Sequence, residues 1–227
     1  MSRCSRSVYA LLVLLVVGFT SGCDFEMSRL KHLPAEVLIA EGHRLLDEGQ
    51  TEAAKRRFEA ATLSEPTSGQ AFYCFGCALS DLKRHEEAVE AFKKSAKLSP
   101  EQATLPLFNM GNSLQSLDRN GEAIEAFRQV IKLDAFDLDA WVNLGRLLDD
   151  SGKHEDAIEC CDFVLESKQN DVIVLTNRGN SLTALKRFTE AISSYDIALA
   201  TAPDDKKANA AKKMCLQEMK RETANKR

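Results

Sequence analysis

Apolar residues recur along this chain at spacings of three and four, not in alternation. Trp141, Leu144, Gly145 and Leu148 share one helical face, and Ala157, Ile158, Cys161, Val164 and Leu165 share another. That is the period of an α-helix and not of a strand. Between these stretches Asp149-Asp150-Ser151-Gly152-Lys153 reads as a turn, with Gly152 suited to a helix C-cap. The same grammar recurs at Gly49 and at Arg119-Asn120-Gly121. Pro66, Pro100 and Pro203 are expected to end second helices, because proline cannot continue a helix and biases its predecessor away from one.

The pattern then repeats in register. Gly42, Gly76, Gly111, Gly145 and Gly179 are spaced 34, 35, 34 and 34 residues apart. Twelve residues after each comes Ala54, Ala88, Ala123, Ala157 or Ala191, and four beyond that Phe58, Phe92, Phe127, Cys161 or Tyr195. A fixed period near 34 predicts a stack of helix pairs, each unable to bury its apolar face alone. The small residues let two helices approach, and the large one fills the gap beside them. Such a solenoid is first of all a binding surface.

The order of Trp or Leu, Leu-Gly, Ala, an aromatic, Ala and Pro resembles the tetratricopeptide repeat family. The fourth unit carries Trp141, Leu144 and Gly145; the fifth carries Gly179, Ala191, Tyr195, Ala198 and Pro203; the second carries Phe75-Gly76, Ala88, Phe92 and Pro100. The resemblance implies an all-α, right-handed α-solenoid of five helix-turn-helix repeats over 35–205. Their expected bounds are 35–68, 69–102, 104–137, 138–171 and 172–205, with one extra residue near Ala103. Glu41 and Arg178 replace the leucine before the glycine, and Ala135 and Gln169 replace the final proline. Slightly looser first and last units are expected from these departures.

The resemblance also implies that first helices line a concave face. There the residue two before each glycine reads Ala40, Cys74, Asn109, Asn143 and Asn177, and the residue after it His43, Cys77, Asn112, Arg146 and Asn180. An asparagine offers a donor and an acceptor together, matching a peptide bond. Asn109, Asn112, Asn143, Arg146, Asn177 and Asn180 are therefore the candidate peptide-binding groove, inter-repeat hydrogen bonding being the alternative use of the same amides. The basic residues that clamp a chaperone tail's carboxylate in this family are missing, since Ile39, Tyr73, Phe108, Val142 and Thr176 stand in one of their places.

Charge and address come from the ends. Arg3 and Arg6 precede the apolar run Val8 to Phe19, and Thr20-Ser21-Gly22-Cys23 resembles a bacterial lipobox. The run has the length of a secretory leader, shorter than the roughly 20 residues of a membrane span. Residues 1–22 are thus expected to be a removed signal peptide, Cys23 the lipid-bearing residue, and 23–34 a tether, of which the ten residues Asp24 to Leu33 reach at most about 35 Å fully extended. The expected place is the bacterial envelope, facing the periplasm or exterior, with envelope proteins or peptide segments as partners. The formal net charge is −4, but residues 206–227 carry eight basic and two acidic side chains, leaving −12 on 23–205. An acidic body argues against nucleic acid. Residues 206–227 read as a basic capping helix with Ala208, Ala211, Cys215 and Met219 on one stripe; a basic helix seeking anionic lipid or an acidic partner is the second reading.

Enzymatic chemistry finds little support. His32, His43, His85 and His154 are scattered over distant units, and no serine, histidine and acid set is suggested by spacing. Cys74-Phe-Gly-Cys77 is the one motif to weigh, and thiol or metal handling through it is the alternative function. It lies inside a predicted helix, away from the helix N-terminus that activates redox pairs. No enzyme, cofactor or metal is expected; the function expected is that of a scaffold or adaptor.

Overall fold

The computed structural model describes Met27 and residues 30–225. The expected leader 1–22 and Cys23, the residue expected to bear lipid, lie outside the described residues. Eleven α-helices and no strand are found among the described residues. They are α1 (Ala35–Asp47), α2 (Thr51–Ser64), α3 (Gly69–Asp81), α4 (His85–Leu98), α5 (Thr104–Ser116), α6 (Asn120–Leu133), α7 (Leu138–Asp150), α8 (His154–Ser167), α9 (Val172–Ala184), α10 (Phe188–Thr201) and α11 (Lys206–Asn225). None of the described helices is long and apolar enough to cross a membrane. The chain divides into two compact units, Met1–Asn109 and Met110–Arg227, so the division falls within α5.

Each helix pair is fastened at the repeat glycine. A Cβ placed on Gly42 would lie 2.4 Å from the Phe58 ring, and one on Gly179 2.4 Å from the Tyr195 ring. Gly76 and Gly111 stand in the same way against Phe92 and Phe127. All four rings are fully buried, and so are Ala54, Ala88, Ala123 and Ala191. Glycine is needed here because the ring occupies the space of a side chain. The fourth pair lacks a ring: Cys161 stands in its place, and a Cβ on Gly145 would meet the Cys160 Cβ at 3.0 Å.

The hairpin turns repeat with equal fidelity. One left-handed residue closes each first helix: Gly49 (φ 74), Lys83 (φ 62), Asp118 (φ 57), Gly152 (φ 75) and Lys186 (φ 60). The amide after it returns to the carbonyl five residues earlier, as from Arg84 to Leu79 at 2.9 Å and from Lys153 to Leu148 at 2.9 Å. The left-handed residue's own amide bonds the carbonyl three back, as from Lys83 to Ser80 at 2.9 Å. These paired bonds are Schellman caps. One expectation is corrected here. The turn read at Arg119-Asn120-Gly121 is centred on Asp118, and Gly121 is the second residue of α6 with nothing within 4 Å of an added Cβ.

Second helices end at matching places with or without proline. α2, α4 and α10 stop two residues before Pro66, Pro100 and Pro203, and α6 and α8 stop two residues before Ala135 and Gln169. The residue between has ψ of 66–97° in all five, so backbone geometry and not the ring sets the stop. Between α4 and α5 a 3-10 turn, Pro100–Gln102, takes up the extra residue of the 35-residue interval.

The two charged departures are paired. Glu41 on α1 accepts from Arg57 Nε on α2 at 3.0 Å. Arg178 on α9 donates to Asp162 of α8 at 2.6 Å and to Ser194 Oγ of α10 at 2.8 Å. α11 covers the end of the second unit. Ala208 and Cys215 are fully buried, and Cys215 packs in a cluster with Ile158, Leu182, Ala191 and Tyr195. Lys212 pairs with Asp196, and Lys186 with Glu222 at 3.0 Å.

Candidate groove residues

On a helix turning about 100° per residue, the places two before and one after the glycine lie roughly 160° and 100° from it. They are three apart, on one face, turned away from the helix that packs on the glycine. In the second unit these places hold Asn143 and Arg146 on α7 and Asn177 and Asn180 on α9, with Asn112 on α5. Asn112, Asn143 and Asn177 are half-buried, while Arg146 and Asn180 are exposed.

Their bonding differs. Asn143, Asn177 and Asn112 have no side-chain hydrogen-bond partner among the described residues, so their amides keep donor and acceptor free. Asn180 Oδ1 accepts from the buried Tyr195 hydroxyl at 2.9 Å, which ties it to the repeat core. Arg146 Nη1 reaches Asp150 at 3.5 Å, a loose surface pair one turn along α7. Such a pair is worth little in water and leaves the guanidinium open to a better acceptor.

Beside Arg146 lies a polar knot that spacing did not reveal. Asp149 Oδ1 accepts from Ser181 Oγ at 2.6 Å and contacts His154 Nδ1 at 2.8 Å. Serine, histidine and aspartate do meet, but the carboxylate stands between the other two. A nucleophilic set needs the hydroxyl to donate to the imidazole. Here it donates to Asp149, and Ser181 is buried. The knot joins the end of α7, the start of α8 and the middle of α9. Asp149 and Ser181 are 32 residues apart, two short of the repeat, so the interval that relates equivalent places does not mark them as neighbours.

The first unit fills the equivalent places with other chemistry. Cys74 Sγ lies 3.7 Å from His43 Nε2. Asn109 Nδ2 donates to the Tyr73 hydroxyl at 3.2 Å and reaches Cys77 Sγ at 3.9 Å. Asn109 is thus committed to bonds between helices, unlike Asn143 and Asn177. Burial, with a smaller contribution from Cys77, pushes the Cys74 thiol up to about 11, and burial likewise raises Cys77. Burial first, and then Cys77, pushes Tyr73 up to about 12. Thiols held protonated inside α3 are the reverse of an activated redox pair. Among the described residues no three or more His, Cys, Asp or Glu side chains gather where they would hold a metal ion.

Comparison with known proteins matches this architecture. The family model for the tetratricopeptide repeat matches residues 39–103, 108–171 and 149–206. No curated protein matches the chain in sequence. Among solved structures, YrrB, described as a TPR protein with an unusual peptide-binding site, superposes with a TM-score of 0.71 at 21% identity, over 78% of this chain and 90% of that one. MamA 41-end from Desulfovibrio magneticus RS-1 gives 0.68 at 20% identity, over 76% and 97%. A tetratricopeptide repeat protein from Parabacteroides merdae gives 0.73 at 15% identity, over 82% and 73%. These likenesses concern the fold. With the register of glycine, ring and turn, they show an all-α solenoid of tetratricopeptide type, and the chain belongs to the tetratricopeptide repeat family.

Proposed function

We propose that this protein is a non-enzymatic scaffold that holds an extended segment of a partner protein along the first helices of its second unit. Protein–protein interaction is the role the fold suggests; the groove and its residues are our reading. The observation that carries it is the pair of unpartnered, half-buried amides at Asn143 and Asn177, one repeat apart. Two such amides hold a strand's backbone without dictating its side chains. Arg146 adds a charge-assisted bond for a carboxylate on the segment. That YrrB is described as having a peptide-binding site supports binding of this kind.

The reading extends to place. Thr20-Ser21-Gly22-Cys23 after an apolar run supports a lipid at Cys23, a removed leader 1–22 and partners in the bacterial envelope. Intact mass of the extracted protein is expected to show a chain starting at Cys23 with added acyl mass; an unmodified chain starting elsewhere rejects the anchor.

The test of the groove is partner capture from cross-linked envelopes by wild type and by Asn143→Ala/Asn177→Ala. Each lost neutral bond is worth about 0.5–1.5 kcal/mol, so the pair is expected to weaken capture by about five- to a hundred-fold at unchanged melting temperature. Capture unchanged by the double variant and by Arg146→Ala overturns the groove.

A further inference from the structure

The capping helix α11 has two faces of opposite character. Ala208 and Cys215 are buried, Lys212 turns to Asp196, and Glu222 turns to Lys186. The alanine stripe is therefore consumed in packing. The outward face carries Lys206, Lys207, Lys213, Lys220 and Arg221, all exposed and without an ion pair among the described residues. Lys206, Lys213 and Lys220 recur every seven residues, which sets them about 10.5 Å apart along one line of the helix. Lys207 and Arg221 stand beside the ends of that line. Glu218, twelve residues from Lys206, lies about 120° round the helix, off that line but on the side of Lys207, Met214 and Arg221. Met214, 60% exposed, is the one large apolar side chain on this face.

Helix formation does not account for the cations at the start of the stripe. Asp205 caps α11 by accepting from the Ala208 amide at 2.8 Å, but Lys206 and Lys207 follow it directly in the first turn. Cations there oppose the helix dipole and cost a little stability. A cap needed only for solubility is served by either sign of charge, and the rest of the body is acidic.

We infer that the outward face of α11 docks on an anionic lipid bilayer. The ridge is straight and carries no aromatic, so it offers no ring to select the side chains of a protein segment. A flat surface dense in phosphate complements it at every cation. Contact is electrostatic and shallow, because Met214 alone has apolar bulk to offer. Acidic residues over 23–205 are repelled by the same surface, so the charge asymmetry turns α11 toward the bilayer. This inference is independent of the groove proposed above.

The experiment is co-sedimentation of the full chain with vesicles of phosphatidylcholine alone and with one-third phosphatidylglycerol. Phosphatidylcholine gives the baseline set by the N-terminal end of the chain, whichever form it takes. A juxtamembrane cation is worth about fivefold in binding, reduced by repulsion of the acidic body. A preference of at least tenfold for anionic vesicles is expected in 0.02 M salt and its loss in 0.5 M salt. Replacing the five stripe residues with glutamine is expected to abolish it. Two single variants at adjacent positions separate face from charge count: K213Q is expected to lower the preference several-fold, and K212Q, on the inward face, to leave it unchanged. Equal binding to both vesicle types overturns the inference. So does a preference that survives the five-residue variant, or that K212Q and K213Q lower equally. Salt-sensitive self-association by light scattering, with no vesicle preference, assigns the stripe to a second copy of this chain instead.

Discussion

In α3 of the first unit the repeat glycine is flanked by Cys74 and Cys77, while α7 and α9 of the second unit hold Asn143 with Arg146 and Asn177 with Asn180 in the same places. The first set closes on itself through His43, Tyr73 and Asn109. The second leaves the amides of Asn143 and Asn177 open. Gly76 and Gly179 are held alike, against Phe92 in one unit and Tyr195 in the other, while Gly145 between Asn143 and Arg146 meets Cys160 and no ring. Packing positions are thus set by the space a neighbouring ring leaves. The positions beside them are free to vary, and that is where the two units acquire different chemistry.

The strongest way to break the comparison is to attack what the units share. Gly76→Ala and Gly179→Ala each drive a methyl to within 2.4–2.7 Å of a buried ring, and both are expected to destabilise by about 1–3 kcal/mol in denaturant melts. Helix propensity alone predicts the opposite sign, a gain of about 0.5–1 kcal/mol. Gly145→Ala, which meets the Cys160 Cβ at 3.0 Å and the Ala157 carbonyl oxygen at 3.5 Å but no ring, is expected to fall between. Equal effects at all three would mean the rings do not set the glycine. Ala157→Leu tests the same contact from the second helix, where Ala157 is 1% exposed. A loss of about 1–3 kcal/mol is expected, reported by the fluorescence of Trp141, which stacks on Phe163 of the same α8 at 4.5 Å. Wild-type stability in that variant would displace the register.

Smaller effects separate the two units. Asn109→Ala removes the bond to the Tyr73 hydroxyl and is expected to cost about 0.5–1.5 kcal/mol of stability. Asn143→Ala and Asn177→Ala have no such bond to lose and are expected to stay within about 0.5 kcal/mol of wild type. Matching losses at all three positions would mean that the amides of the second unit are structural as well.

Much of this was legible because one offset recurs. Sixteen residues separate four of the five repeat glycines from a ring, and the same sixteen separate Glu41 from Arg57 and Arg178 from both Asp162 and Ser194. The sequence showed the first series and, read with the same ruler, would have shown the ion pairs that occupy the leucine's place. Arg57, Asp162 and Ser194 are the partners of the two charges that stand in the leucine's place. The Asp149 knot stayed hidden because its members come from three helices and no local pattern joins them. The free amides were visible as residues only; whether each was open or bonded depends on a neighbour one repeat away, Tyr73 for Asn109.

Effects as small belong to the turns, and there the sign carries the information. Lys83 and Lys186 hold left-handed conformations that Gly49 and Gly152 hold without strain. A side chain there costs about 1–2 kcal/mol, offset in part by the greater freedom glycine gives the unfolded chain. Lys83→Gly and Lys186→Gly are therefore expected to stabilise by about 0.5–1 kcal/mol, one in each unit. Gly121→Ala is the decisive companion. The glycine draws the eye to 119–121 as the turn, and a left-handed Gly121 would make alanine destabilising. In the structure Gly121 is helical with open space around it. Alanine is then expected to stabilise by about 0.5 kcal/mol, the low end of the propensity gain because the site lies in the first turn of α6. A loss of stability at Gly121→Ala, with none gained at Lys83→Gly, would move the third turn from Asp118 and break the five-fold register of caps.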